Sequence, residues 1–507
     1  MSRTAQDVRT VDDYEARLRS YYMEAGEEGR AVRVGEKETS EQAAIVRRYA
    51  DLFTRSQLDA LAQPPADADA TTLERVHRLR RSCESGLVVA ELASVQDDLV
   101  NAELGVTVEF RGESIPLRSA RARVGLISDY GEREELGTAA WNVSAELNER
   151  RLELLRAAEA LFADLSETPD PVLRSEREKG ISLHDLTDAL GEATEAAALL
   201  YDARRTRWLD RLLGSDREPV PRFYHAAYVF RLTPLSHIYD KDRAAAICTT
   251  TLGDIGLDLV GHRSIHTDLE DRPQKTARPC VIAPDPPNVV HLITRSVGGL
   301  QDYAGLLHEA GHAFHYAGSD PGLPYAFRAL ARDNALSETY AFLCESITRE
   351  PGWHARYFEL SNDEAEENAD AARFLHALMV RRFLAKLRFE LDFWSRFRVD
   401  GGTADGYAEN LTEATGFAYR SDAFLLDLDA GFYSADYLRG WVRAAQLRSH
   451  LVTTIGPEWW CRKETGELLT HLYREGLAPS NEDLAGRLGF EPGDTAPLLA
   501  ELSEPIR

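Results

Sequence analysis

Residues 308–315 read HEAGHAFH and contain the side chains that a metal-dependent hydrolase needs. On an α-helix, positions four apart point the same way, so His308 and His312 could present two imidazole nitrogens to one ion. Glu309 is rotated by about 100° from His308, which suits a base beside the metal better than a ligand. The pattern can arise by chance in a chain with 14 histidines, so its surroundings have to support it.

The residues around the two histidines are apolar and predict a largely buried helix. Between Ala304 and His315, the motif supplies the only polar side chains. Asp302 is a suitable N-cap and Gly318 a suitable end for this helix. Buried imidazoles and a carboxylate are unfavourable without partners, and a zinc ion would be such a partner. The alternative is a pair of satisfied core histidines with a chance glutamate.

A third ligand should come from another helix, because a catalytic zinc ion normally has three protein ligands and an open position for water. Glu338 lies in ARDNALSETYAFLCES, residues 331–346, where a carboxylate is out of place unless it binds something. Glu345 is the rival ligand, or a hydrogen-bond partner for an imidazole. We expect Glu338 to be the ligand, and His315 to be a packing residue or a hydrogen-bond partner instead of a fourth ligand.

A second histidine pair, His262 and His266, has the same spacing. It lacks an acid after the first histidine, and Gly261 and the adjoining strand pattern argue against a continuous helix. We interpret this pair as a surface or groove feature.

The composition is that of an ordinary globular protein with an acidic surface. Of 507 residues, 44% are hydrophobic and 28% charged, and the net charge of −25 argues against a nucleic-acid partner. We find neither a signal-peptide pattern at the start nor an apolar run long enough to span a membrane. The five cysteines are scattered and never form CxxC, which is typical of free thiols. We therefore expect a cytoplasmic protein.

Helical periodicity dominates the chain and predicts a mainly α fold. A small hairpin is expected at 105–117, and a short β-ribbon is expected just before the histidine helix, around 280–283 and 289–294. The polar stretch 214–222 is a candidate boundary between an N-terminal helical lobe, 1–213, and a metal-binding lobe, 214–507. The predicted helical stretches are 39–63, 72–104, 132–166, 182–213, 324–350, 362–397, 433–452 and 456–475.

Taken together, HEAGHAFH, Glu338 and the preceding DLEDRPQKTARPC (268–280) resemble the thimet oligopeptidase and oligoendopeptidase F family of zinc metallopeptidases, which includes neurolysin-like enzymes. The likeness is specific over residues 267–346. It implies one zinc ion per chain, held by His308, His312 and Glu338, with Glu309 as the general base. It also implies a two-lobed helical fold with a substrate channel that admits short peptides.

The resemblance directs attention to DAGFYSADYLRGW, residues 429–441. Tyr433 and Tyr437 match family tyrosines whose hydroxyls stabilise the oxyanion of the reaction, although both could simply pack on an amphipathic helix. Three positions depart from the family pattern. Leu428 replaces a histidine, Gly440 replaces the last tyrosine and Ala341 replaces a serine.

The predicted function is zinc-dependent endopeptidase cleavage of short peptides, by a monomer or simple homo-oligomer. We expect the strand NVVHLITR, 288–295, to pair with an extended substrate. One alternative is a zinc hydrolase of a peptide-like metabolite, which the missing histidine at Leu428 favours. Another is a non-catalytic helical binding protein, although binding alone has no use for Glu309.

Overall fold

The computed structural model describes residues 9–37, 39–64, 67–270, 272, 275–276 and 278–506. This part of the chain is mainly α-helical, with two small sheets, and the predicted fold class is confirmed. The stretch 39–63 forms two helices instead of one, because the chain turns after Arg48 and Thr54 starts the next helix as its N-cap.

The helices of the first half of the chain precede and follow the hairpin. They are α1 (Val11–Arg33), α2 (Gln42–Arg48), α3 (Arg55–Leu61), α4 (Ala70–Gly105), α5 (Leu117–Val124), α6 (Tyr130–Ala145), α7 (Asn148–Leu165), α8 (Pro171–Lys179), α9 (Leu183–Ala196), α10 (Ala198–Leu213), α11 (Ala226–Arg231) and α12 (Lys241–Asp254). Helices α5 and α6 pack against the hairpin.

The helices of the second half contain every residue of the predicted metal site. They are α13 (Leu300–Gly318), α14 (Tyr325–Ala329), α15 (Ala335–Ser346), α16 (Pro351–Phe358), α17 (Asn362–Asp400), α18 (Tyr407–Thr415), α19 (Phe424–Asp427), α20 (Tyr433–Thr454), α21 (Lys463–Tyr473), α22 (Asn481–Leu488) and α23 (Ala496–Leu502).

The predicted hairpin is present as β1 (Thr107–Phe110) and β2 (Glu113–Pro116), which are antiparallel. Its turn residues, Arg111 and Gly112, both have positive φ, as a tight two-residue hairpin turn requires.

The second sheet has the order β3–β5–β4, built from β3 (Ile265–Asp268), β4 (Cys280–Asp285) and β5 (Val289–Ile293). The predicted ribbon corresponds to the antiparallel pair β4 and β5. Strand β3 was not predicted, and it pairs parallel to β5 on the other side. The expectation that 288–295 binds a substrate strand is therefore wrong, because β5 already has neighbours on both sides. The two edge strands of this sheet are β3 and β4.

The DLEDRPQKTARPC segment begins at the last residue of β3, Asp268, and forms the link to β4. The Lys275 ammonium donates to the Asp268 carboxylate (2.6 Å) and to the Glu270 carbonyl (2.9 Å), and Arg272 also bonds Asp268. These contacts fold the link back onto the end of β3. Four residues of the segment, Asp271, Pro273, Gln274 and Ala277, lie outside the described part of the chain.

The largest hydrophobic core contains side chains from Val172 to Leu502, and a second core joins helices α1 to α4 to α14. The proposed lobe boundary at 213/214 remains a prediction. None of the helices in the described ranges is long and apolar enough to cross a membrane. All five cysteines are free, as predicted.

Helix α15 lies between α13 and α20, and two glycines allow this close approach. A Cβ atom at Gly311 of α13 would lie 2.6 Å from the Ala341 Cα atom, and one at Gly440 of α20 would lie 2.9 Å from the Glu338 Cβ atom. Real side chains do not fit at such distances. Gly440 and Ala341 are therefore parts of this packing. They are two of the positions at which the sequence departs from the family that it resembles.

Candidate metal centre

Helix α13 presents the two histidines of the motif toward α15. It begins after Gly299, so the prediction that Asp302 is the N-cap is wrong. The Asp302 carboxylate instead accepts a hydrogen bond from the Val297 backbone N–H (2.6 Å) and so fixes the loop that enters the helix. The helix ends at Gly318, as predicted.

Three predicted ligands converge on one point. The Nε2 atoms of His308 and His312 lie 3.5 and 3.7 Å from Oε2 of Glu338. All three ligand atoms are within 4.8 Å of one another, which makes them a group that could hold a metal ion. With metal–ligand bonds of about 2.0–2.2 Å, the ligand atoms of a tetrahedral site are about 3.3–3.6 Å apart, so the observed spacing fits.

Each ligand is oriented by a second hydrogen bond on the side away from this point. His308 Nδ1 donates to Glu345 Oε2 (2.9 Å), and His312 Nδ1 bonds the Ser337 hydroxyl (2.7 Å). These contacts leave both Nε2 lone pairs directed toward Glu338, as metal-binding histidines require. Glu345, which the sequence left open as a rival ligand, lies in the position of an imidazole partner.

The charges of the three groups depend on one another. Burial lowers the pKa of His312 to about 4. Burial also opposes the charged form of His308, but the Glu338 and Glu345 carboxylates outweigh it and hold that pKa well above its usual value. The pKa of Glu338 is lowered despite burial, because both imidazoles and a tyrosine hydroxyl favour its charged form. Glu338 is therefore a carboxylate at neutral pH.

Glu309 lies beside this group and next to the edge strand β4. Burial raises the pKa of Glu309 above its ordinary value. The Val281 backbone N–H, on β4, and the positive charge of Arg278 lie near the Glu309 carboxylate and partly offset this effect. The edge strand was missed as a part of the site, although the β pattern just before the histidine helix was visible in the sequence.

The structure gives the two predicted tyrosines different surroundings. The Tyr433 hydroxyl donates to Oε1 of Glu338 (2.6 Å) and so orients the third ligand. The Tyr437 ring packs edge-on against Phe342, and the residue borders the cavity described below. Arg439, on the same helix, is bound to Asp333 and Glu482.

Tyr316 was missed, although it lies one helical turn after His312. Its hydroxyl lies near the Ser337 side chain, and burial, reinforced by the negative charge of Glu338, raises the pKa of Tyr316. The same spacing of four that identified the histidines would have found it. His315 is buried and bonds the Gly476 carbonyl (2.9 Å), which is the packing role expected.

The His262 and His266 pair takes no part in this group. His266 is exposed on β3, where it lies opposite His291 of β5, and His262 lies outside any helix or strand. The interpretation of these two residues as surface features agrees with their positions.

A cavity of about 460 Å³ opens beside His308 and Glu309. Its positively charged wall residues include Arg349 and Arg382, which pair with Glu501 and Asp427, and Arg278, which has no acidic partner in the described ranges. The large apolar residues of the wall include Phe230, Leu300, Phe342, Leu375, Met379 and Trp441.

No protein family and no curated protein matches the sequence. Similar folds occur among solved structures at low sequence identity. One is Trypanosoma cruzi metallocarboxypeptidase 1, with a TM-score of 0.64 and 13% identity over 98% of this chain and 100% of that one. Another is the M32 carboxypeptidase from Deinococcus radiodurans R1, with a TM-score of 0.62 and 18% identity over 97% and 98%. A third is the Pyrococcus furiosus carboxypeptidase, with a TM-score of 0.62 and 13% identity over 98% and 99%. The chain therefore has, over nearly its whole length, a fold like that of metallopeptidases.

Proposed function

We propose that this protein is a zinc-dependent peptidase that hydrolyses short peptides, with His308, His312 and Glu338 as the zinc ligands. The observation that supports this most directly is the convergence of two Nε2 atoms and one carboxylate oxygen. Oε2 of Glu338 is buried and has no hydrogen-bond partner in the described part of the chain. A buried carboxylate oxygen without a partner is costly, and a cation at this point would satisfy it.

The donor set favours zinc over harder cations. Two imidazole nitrogens and one carboxylate oxygen are the ligands of many catalytic zinc sites, whereas magnesium and calcium prefer oxygen ligands throughout. Zinc, when bound, would lower the pKa of a water molecule and polarise the substrate carbonyl.

Glu309 is placed to act as the general base. It would accept a proton from the attacking water and pass it to the leaving amine, for which a pKa raised by burial is suitable. Tyr437 is the better placed of the two tyrosines to donate to the developing oxyanion, because the Tyr433 hydroxyl is already bound to Glu338.

The peptide would lie along the open edge of β4, in place of the β5 edge expected from the sequence. The backbone N–H groups and carbonyls of an edge strand can pair with an extended chain, and the contact between Val281 and Glu309 places this edge beside the site. The neighbouring cavity has mostly apolar walls and would take a large apolar side chain of the substrate.

A test of this proposal compares the wild type with Glu309→Gln. We expect hydrolysis of quenched fluorescent peptides to fall by several orders of magnitude in the variant, while one zinc ion per chain is retained. The matched control is Glu409→Gln, an exposed acid on α18, which should leave the rate unchanged. A Glu309→Gln protein as active as the wild type would contradict the proposed mechanism.

A second candidate is cleavage at the C-terminus of the peptide instead of within it. The specific observation is Arg278, an exposed cation that borders the cavity and influences both Glu309 and Tyr437. A free peptide carboxylate could pair with it, and the solved structures named above are carboxypeptidases.

Substrates with a free or an amidated C-terminus distinguish the two modes. A carboxypeptidase would lose most of its rate on the amide and release single amino acids, and Arg278→Met would reduce the difference between the substrates. An endopeptidase would cut both peptides internally at similar rates. Mass spectrometry of the products shows which bond is cleaved and so distinguishes the two modes.

A further inference from the structure

The turn that leads into α20 has an unusual backbone. Gly431 and Phe432 both have left-handed conformations, with φ of 65° and 54°, and α20 begins at Tyr433 directly afterwards. The left-handed region is unfavourable for a residue with a side chain, by about 1 kcal/mol or more. Other contacts therefore have to hold this turn in place.

Glu390 of α17 lies under the turn and is completely buried. Its Oε1 atom accepts a hydrogen bond from the Asp429 backbone N–H (3.1 Å), on the N-terminal side of the turn. The Ser434 hydroxyl, on the C-terminal side, is buried and lies near this carboxyl group without bonding to any group in the described part of the chain. Glu390 thus holds the N-terminal end of the segment 429–434 by a hydrogen bond.

Nearby charges reinforce the same segment. Lys386, one helical turn before Glu390, bonds the Asp429 carboxylate. Asp427, just before the turn, is bound by Arg382 and accepts a hydrogen bond from the Tyr407 hydroxyl (2.9 Å). Helix α17 therefore provides a rigid base for the turn, independent of α13 and α15.

We propose that Glu390 is a positioning residue for the metal centre: it anchors the start of the Gly431–Phe432 turn through the Asp429 backbone N–H and so holds the Tyr433 hydroxyl on Glu338. The inference depends on the proposed function only in that Glu338 must be a metal ligand. It gives a role to a buried acid of α17 that neither the motif nor the family resemblance identified. Burial raises the pKa of Glu390 to about 7, so its side chain is kept in the core at a cost to stability that a leucine would avoid.

The test is a double-mutant cycle read out as zinc affinity, without any substrate. Glu390→Leu and Tyr433→Phe should each weaken zinc binding by about tenfold, since partners of metal ligands typically contribute 10–100-fold. If Glu390 acts through Tyr433, the double variant should bind zinc no more weakly than Tyr433→Phe alone. Glu390→Gln, which keeps a hydrogen-bonding head group, should stay within about twofold of the wild type.

A matched control is Glu28→Leu, which removes a buried acid of α1 that is bonded to Lys37 and far along the chain from the turn. It should lower stability and leave zinc affinity unchanged. If Glu390→Leu does not fold, Lys386→Met takes its place in the cycle, because Lys386 bonds Asp429 at the same end of the turn. Its expected effect is smaller, about threefold, and it should likewise not add to the effect of Tyr433→Phe.

The outcomes separate this inference from the proposed function. Additive effects, or unchanged zinc affinity in Glu390→Leu, would overturn the positioning role even in an active peptidase. A non-additive cycle in a protein that binds zinc but cleaves no peptide would support the positioning role and contradict the proposed function. A wild type that binds no zinc would overturn both.

Discussion

Glu338 shows how far single residues could be interpreted from the sequence. A carboxylate among Leu336, Tyr340 and Ala341 is exceptional in a buried helix, and this alone singled it out. The choice between Glu338 and Glu345 could not be made from spacing with certainty, because the two residues are seven apart and share one helix face. It depends on how α15 is rotated against α13, which is a property of the packed core.

Met379 lies on the cavity wall and provides a prediction at the same scale. Met379→Trp should fill part of the cavity, because tryptophan is much larger than methionine. We expect kcat/KM to fall by about tenfold or more for peptides with Phe or Leu beside the cleaved bond, and to change little for peptides with Ala there.

The control for this experiment is Met23→Trp, a half-buried methionine of α1 that does not line the cavity. It should not alter the preference between peptides. An equal loss on Phe and Ala peptides in Met379→Trp would show that the cavity does not select the side chain.

At the scale of elements, local patterns identified the histidine helix, the hairpin and the β4–β5 ribbon. The bounds and the pairing of β3 could not be predicted from the sequence, because its four residues pair directly with β5, although β4 lies between the two strands along the chain. The wrong prediction that β5 binds the substrate has the same cause. Which strand lies at the edge of a sheet depends on long-range strand pairing, and the periodicity of the sequence gives no information about that pairing.

The close packing of α15 and α20 leads to a prediction at this scale. Gly440→Ala places a methyl group 2.9 Å from the Glu338 Cβ atom, so we expect a loss of about 1–3 kcal/mol in the free energy of unfolding and weaker zinc binding. Chemical denaturation and metal titration measure the two effects.

Gly486→Ala is the matched control, because a Cβ atom there would meet nothing within 4 Å. This glycine lies inside α22, so the alanine should stabilise the protein by about 0.5–1 kcal/mol. A Gly440→Ala protein of wild-type stability would mean that the helices can separate without penalty.

At the scale of the whole molecule, the N-terminal helix α1 packs against the sheet that lies next to the metal centre. Helix α1 packs on the sheet through the Arg19–Asp285 pair (2.5 Å) and the contact between Glu27 and His291 (2.6 Å). No local pattern predicts these contacts, which join residues more than 250 positions apart. The predicted division into two lobes was based on the order of helices along the chain. The packing of α1 against the sheet could only be seen in the folded structure.

A buried histidine far from the metal centre, His225, leads us to predict that the folded protein is less stable in acid. Arg133 donates to Nδ1 of His225 (2.8 Å), so this imidazole has to stay neutral, and burial lowers the pKa of His225 to about 3. The unfolded chain takes up a proton near the ordinary pKa of about 6.5, whereas the folded one does not. Stability should therefore fall as the pH decreases from about 6.5 toward 3.

Urea unfolding with chelator at pH 7.5 and pH 5 measures this effect. The wild type should lose on the order of 1–2 kcal/mol through His225 between these values, and His225→Gln should lose less. His184→Gln, an exposed residue of α9, should behave like the wild type. If the free energy of unfolding had the same pH dependence in all three proteins, His225 would not be the cause of the loss of stability in acid.

The central claim is that one zinc ion is held between α13 and α15. Crystals of the zinc-loaded protein, measured at the zinc absorption edge, test it most directly. The account predicts one anomalous peak per chain, about 2.0–2.2 Å from Nε2 of His308, Nε2 of His312 and a carboxylate oxygen of Glu338, and no peak at this position in His312→Ala. A zinc peak elsewhere, or a loaded wild type without a peak between these three residues, would contradict it.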